Sequence, residues 1–262
     1  MQSLKSGSEV IHFQDKGPKD DFAIVFLNSL GTDFRVWDKL LDVLGDRFRT
    51  VRMDKRGHGL STNYKDDISI ESLAKDVSVL VDSLNLKNIC VVGLSIGGLI
   101  ALELIRQRPN LCNKLILSDT APKIGSENMW AERIKRVQEG GIEAISDDIL
   151  ARWFSNEFLK NKTVELQMWR SMLTRTTKSG YIGCCGAISQ CDLTEQAKLI
   201  NIPTLVIVGD EDGSTPVNLV KDAANLIDGS IFKVIKKAGH LPCVEQPNEV
   251  ASIFLEFLEN NT

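Results

Sequence analysis

Along most of this chain, apolar runs of strand length alternate with stretches whose apolar residues recur every three or four positions. Phe22-Ala23-Ile24-Val25-Phe26-Leu27 is apolar throughout, as a strand covered on both faces would be. Residues 89–92, 114–117, 204–208 and 231–235 read as further strands, with Val10-Ile11-His12-Phe13 as the first of the chain and Thr50-Val51-Arg52-Met53 following the second. Between them, Phe34, Trp37, Leu40, Leu41 and Leu44 fall at helical spacing, as do Leu73, Val77, Leu80, Val81 and Leu84 over 70–84. Two more helices are expected over 217–226 and 247–258. Such alternation predicts parallel strands joined by right-handed crossovers, hence a doubly wound, mostly parallel α/β sheet.

One segment breaks the alternation. From 122 to 195 the pattern is helical only, and it carries Trp130, Trp153 and Trp169 with Phe154, Phe158 and Tyr181. A thin helical layer needs large side chains to build a core of its own. Laid across the open end of a parallel sheet, it would also roof an apolar cleft. The expected organisation is a core over 1–121, a helical cap over 122–195, and the rest of the core over 196–262.

Composition narrows the partners. A formal charge of −4 over 262 residues supplies no long-range attraction for nucleic acid or an anionic membrane, which leaves a small-molecule substrate. The first residues lack an apolar signal core and no run is long enough for a membrane span, so a cytoplasmic protein is expected, monomeric or a small homo-oligomer. The six cysteines, including the adjacent Cys184 and Cys185, show no zinc-site spacing and read as reduced thiols packed like small hydrophobes.

The candidate chemistry centres on Gly93-Leu94-Ser95-Ile96-Gly97, a tight corner between an apolar strand and a helix that would lift the Ser95 hydroxyl above the sheet. A serine hydroxyl at its ordinary pKa needs a general base and a group to orient that base. Of the three histidines, His12 lies in a strand and reads as a solvent-facing side chain, and His58 precedes Ser95. His240, in a loop just past the last strand, follows Ser95 and suits the order serine, acid, histidine. The favoured acid is Asp212, in the turn after strand 204–208; Asp210 and Asp119 are the alternatives, each near a strand end. Two backbone N–H groups should meet an oxyanion, those of Ile96 and of Leu30 in the turn Asn28-Ser29-Leu30-Gly31.

Ser95, Asp212 and His240, together with Arg56-Gly57-His58-Gly59 and Gly239-His240…Glu245-Gln246-Pro247, resemble the α/β-hydrolase superfamily over essentially the whole chain. Within it, Asn28-Ser29-Leu30-Gly31-Thr32-Asp33, Asp54-Lys55-Arg56-Gly57-His58-Gly59, Arg152-Trp153-Phe154 and the run from Gly180 to Ile188 resemble the 3-oxoadipate enol-lactonases. The resemblance implies an α/β-hydrolase fold with an inserted helical cap. It also implies hydrolysis of a carboxylated enol-lactone through an acyl-enzyme on Ser95, with no metal or organic cofactor. A carboxylated substrate calls for a local cation: Arg152, beside Trp153 as a pocket wall, is the first candidate and Arg56 the second. Neighbouring esterases and cofactor-free peroxidases share the core motifs and differ mainly in the cap, and a small-molecule receptor could keep the scaffold without turnover.

Overall fold

In a computed structural model, which describes residues 1–19, 22–63 and 67–260, the strands are β1 (Gln2–Ser6), β2 (Glu9–Lys16), β3 (Phe22–Leu27), β4 (Arg49–Met53), β5 (Asn88–Leu94), β6 (Cys112–Ser118), β7 (Thr204–Gly209) and β8 (Ile231–Ile235). They form one sheet in the order β1-β2-β4-β3-β5-β6-β7-β8. From β4 to β8 every pairing is parallel; β2 runs antiparallel to both β1 and β4. The helices are α1 (Asp38–Leu44), α2 (Ile70–Ser83), α3 (Ile96–Gln107), α4 (Glu127–Gly140), α5 (Ser146–Trp153), α6 (Asn156–Asn161), α7 (Thr163–Thr174), α8 (Lys178–Ser189), α9 (Thr194–Ala197), α10 (Val217–Asn225), α11 (Pro242–Glu245) and α12 (Pro247–Asn260). None is long and apolar enough to cross a membrane.

The strands sit where the apolar runs place them, because a strand flanked by helices on both faces has no solvent side. Ala23 to Leu27 and all of β7 are buried. Strand β1 departs from the expectation that 10–13 opens the sheet. In Gln2-Ser3-Leu4-Lys5-Ser6 only Leu4 and Ser6 turn inward, and the strand is held at the edge by its ladder with β2, so a single apolar position left no period to read. Helix α2 starts at a capping box, Ser69 Oγ accepting from Ser72 N–H while Ser72 Oγ accepts from Ser69 N–H, and buries Leu73, Val77, Leu80 and Val81.

Helices α4 to α8 follow β6 without an intervening strand. Their aromatics make a second small core: the rings of Phe154 and Phe158 stack at 4.2 Å, and Phe154 meets Trp169 at 5.8 Å. Helix α9, which straddles residue 195, packs against α3. The first turn of α8 touches the other layer closely. Thr177 donates from both its N–H (3.1 Å) and Oγ1 (3.0 Å) to the Gly57 carbonyl, and a Cβ at Gly57 (φ +70°) would lie 2.4 Å from Gly180 Cα. Only two glycines permit that approach. Gly57→Ala is therefore expected to destabilise the protein by about 2–4 kcal/mol, from its left-handed backbone and the displaced helix. Urea denaturation checks this, and an unchanged midpoint would show that the contact is loose.

Candidate active site

Ser95 stands between β5 and α3 with φ 58° and ψ −119°, a strained conformation for a residue with a side chain, worth about 1–3 kcal/mol. Neighbours hold it there: Ser95 N–H donates to the Ser118 carbonyl (3.0 Å) and Thr120 Oγ1 donates to the Ser95 carbonyl (2.7 Å). Gly97 is required because a Cβ there would lie 2.1 Å from the Leu27 carbonyl oxygen. Ser95 is 8% exposed and lines a small cavity, about 50 Å³, together with His240, Ser29 and Leu30.

His240 Nδ1 donates to Asp212 Oδ2 at 2.9 Å, with both side chains buried. The turn after β7 surrounds the Asp212 carboxylate with further donors: Ser214 N–H (2.7 Å) and Thr215 N–H (3.0 Å) on Oδ1, and Thr215 Oγ1 (2.6 Å) on Oδ2. Burial would raise the Asp212 pKa, but His240 and these donors outweigh it and bring it below the ordinary value. His240 Nε2 has Ser29 Oγ at 3.5 Å, and among the described residues the Ser95 hydroxyl has no hydrogen-bond partner. The candidate nucleophile and its candidate base thus line one cavity without a closed bond between them.

Of the alternative acids, Asp210 accepts from Ala238 N–H (3.4 Å) and pairs with Lys236 (3.5 Å), which makes it a turn residue. Asp119 comes nearer the centre. One oxygen each of Asp119 and Asp212 and a ring nitrogen of His240 lie within 4.8 Å of one another, all buried.

Two buried bases shape the turn opposite Ser95. Lys55 Nζ donates to the Ser29 (2.5 Å) and Thr32 (3.2 Å) carbonyls, and burial lowers its pKa to about 8. His58 Nε2 accepts from Gly31 N–H (3.0 Å) while its Nδ1 donates to the Arg56 carbonyl (2.9 Å). His58 therefore braces the Leu30 turn. Among the described residues neither Leu30 N–H nor Ile96 N–H has a protein acceptor.

The substrate-side candidates separate. Arg152 is half-buried and lines the cavity, as does Trp153, whose ring lies against Gly31. Arg56 does not: its guanidinium is buried against Asp76, with Nε at 2.7 Å and Nη2 at 2.9 Å from the carboxylate oxygens. Withdrawing Arg56 toward a ligand would leave Asp76 charged and unpaired in the interior, so the expectation of a substrate cation there is corrected. The reading of His12 as a solvent-facing side chain is corrected too. It is 13% exposed, bonds Asp54 at 2.8 Å and stacks on Phe34 at 4.9 Å.

Arg133 was not singled out by sequence, and Tyr181 was read only as one of the aromatics of the helical layer. Arg133 lies 4.7 Å over the Trp130 ring and beside the Tyr181 phenol, on the same cavity as Ser95. Its spacing of three from Trp130 on α4 was the available signal, since such residues share a helix face. Among the described residues neither Arg133 nor Arg152 is ion-paired with a carboxylate. The cysteines offer no competing nucleophile. All six are free, burial pushes Cys184 up to about 11 and Cys185 to about 12, and Cys90 and Cys243 are raised further.

The family model described as alpha/beta hydrolase fold matches residues 23–247, and the chain belongs to that family. It is a hydrolase by that membership and by its relatives. It is 33% identical to 3-oxoadipate enol-lactonase 1 and 31% identical to 3-oxoadipate enol-lactonase 2, both of Acinetobacter baylyi. Those alignments cover 96% and 94% of this chain and 94% and 91% of the relatives. Among solved structures, an enol-lactonase from Burkholderia xenovorans LB400 superposes with a TM-score of 0.92 at 31% identity, covering 98% of this chain and 99% of the other.

The buried His58 gives a pH test. Burial, with Lys55 beside it, holds its pKa well below 6.5. As pH falls below about 6.5, the unfolded chain binds a proton that the folded chain does not, and stability is lost through the window down to the folded pKa. His58→Gln is expected to lose less melting temperature than wild type between about pH 7 and about pH 5. An equal loss in both would remove His58 from the acid sensitivity.

Proposed function

We propose that this chain is a serine hydrolase that opens a carboxylated five-membered enol-lactone, 3-oxoadipate enol-lactone, to 3-oxoadipate. The observation that carries the reading is the pair of guanidiniums, Arg133 and Arg152, without carboxylate partners on the cavity that holds Ser95 and His240. A cation left unpaired beside a nucleophile favours an anionic substrate. The enol-lactonase relatives support the ring and the acid.

In this mechanism Ser95 Oγ attacks the ring carbonyl as His240 Nε2 takes its proton, and Asp212, fixed by the Thr215 turn, holds the imidazole and stabilises its charged form. The N–H groups of Leu30 and Ile96 receive the oxyanion. Collapse breaks the ring C–O bond and releases an enol that remains tethered through the acyl ester. His240 then activates water, Ser95 is freed, and the enol becomes the ketone, which makes ring opening hard to reverse. No step calls for a metal or an organic cofactor. Arg152 holds the substrate carboxylate against the Trp153 wall.

Purified protein is expected to prefer the enol-lactone over p-nitrophenyl esters and short peptides in kcat/KM; preference for either of the others would remove the substrate assignment. Ser95→Ala should lose on the order of 10⁴-fold or more in kcat with circular dichroism unchanged. Near-wild-type turnover in that variant contradicts the acyl-enzyme. His240→Ala should cost far more than His58→Ala. Arg152→Met should raise KM for the lactone by roughly 10–100-fold, the worth of a charged hydrogen bond, while leaving a neutral ester's KM unchanged. Equal effects on both substrates would exclude a carboxylate contact.

A further inference from the structure

Behind the Asp212–His240 pair lies a second carboxyl group that the mechanism above does not use. Asp119 follows β6 directly, is completely buried, and has φ 49°, one of four non-glycine residues with positive φ among the described residues. Ser118 Oγ donates to its Oδ2 at 2.6 Å and Gly209 N–H donates to its Oδ1 at 2.9 Å. Asp119 N–H is anchored on the Ile207 carbonyl at 2.9 Å. One of its carboxylate oxygens lies within 4.8 Å of an oxygen of Asp212, with both side chains out of water. Two ionised carboxylates this close in a buried site repel each other, so one of the two must hold a proton.

Asp212 is not the one. It already accepts two N–H groups, a hydroxyl and the imidazole N–H, an arrangement that favours the anion. Asp119 has fewer donors and no imidazole; burial first, and the neighbouring Asp212 charge second, drive its pKa well above the ordinary value. The titratable groups facing it are Asp212, His240 and the Cys243 thiol, which burial keeps neutral.

We infer that Asp119 is a positioning residue that stays protonated and donates its proton to Asp212, fixing that carboxylate from behind while leaving His240 opposite a single negative charge. This rests on the reading of Ser95, Asp212 and His240 as a catalytic set. A neutral Asp119 keeps Asp212 from swinging away from Nδ1. It also spares His240 a second anion, which would raise its affinity for a proton and withdraw the free base at neutral pH.

Two measurements test the inference. The first needs no substrate: the infrared spectrum at neutral pH is expected to contain the carbonyl stretch of a buried, neutral carboxylic acid, absent from the Asp119→Asn variant. Lack of that band in wild type overturns the inference. The second follows acylation of Ser95 by a fluorophosphonate across pH. Asp119→Val, which removes the donor, should acylate on the order of 10–100-fold more slowly, with the acidic limb of its rate profile moved to higher pH. Asp119→Asn keeps an N–H donor for Asp212 and should recover most of the rate and the original limb. A valine variant with wild-type rate and profile, or an asparagine variant as impaired as valine, overturns the proposal. If Asp119→Val does not fold, the band and the asparagine profile still decide it. Wild type that resists the fluorophosphonate overturns the serine-hydrolase reading itself and the inference with it.

Discussion

A carboxylate and an imidazole in contact away from water constrain everything around them. The Asp212–His240 bond survives burial only because three further donors from one turn satisfy the carboxylate, and because the sheet delivers the two loops side by side. Parallel pairing sets Gly209 at the end of β7 beside Ile235 at the end of β8. Beyond those ends the chains stay laced together: Asp210 N–H donates to the Ile235 carbonyl and Glu211 N–H to the Ala238 carbonyl, each at 2.9 Å. A side chain at 209 would meet the Gly239 carbonyl oxygen at 2.0 Å, so the glycine lets the His240 loop rest directly on the strand end. Glu245 extends the lacing to the helical layer, accepting from Gly239 N–H at 2.7 Å and from Ser155 Oγ at 2.5 Å.

Opposite this pair, the turn at residues 28–32 is held by groups that are costly to bury. Lys55 gives its charge to two carbonyls, and His58 stays neutral so that one nitrogen can accept the Gly31 N–H while the other donates. The Arg-Gly-His-Gly segment is thus a brace. Its arginine is spent on Asp76, its first glycine meets α8, and its histidine supports the backbone whose Leu30 amide faces the reaction in the proposed mechanism.

Much of this was legible in residue order. Strand β3 announces itself because a strand covered on both faces is apolar at every position, β4 and β8 less plainly because they carry Arg52 and Lys233, and the strained corner at Ser95 because close approach of strand and helix demands glycine. The spacing of Ser95, Asp212 and His240 reflects which strand ends the topology brings together. What escaped did so for physical reasons. Strand β1 turns only Leu4 and Ser6 inward, too few positions to show a period. Arg56 and Arg152 look alike in one dimension; only the location of Asp76 separates a structural guanidinium from one facing a cavity. The proton on Asp119 depends on a carboxylate 93 positions away, a relation no local pattern encodes.

The contact of Gly57 with Gly180 has a bearing on how such a protein can diversify. Because the segment that braces the Leu30 turn also seats the roof, the roof is free to vary along the faces of α4 and α5 but not at the foot of α8. New specificities would then arise by exchanging side chains such as Arg133, Arg152 and Trp153 on a fixed hinge point, rather than by re-seating the whole insertion. Lineages descended from such a scaffold would keep bare backbone at this one junction even as the chamber above it came to accept other molecules.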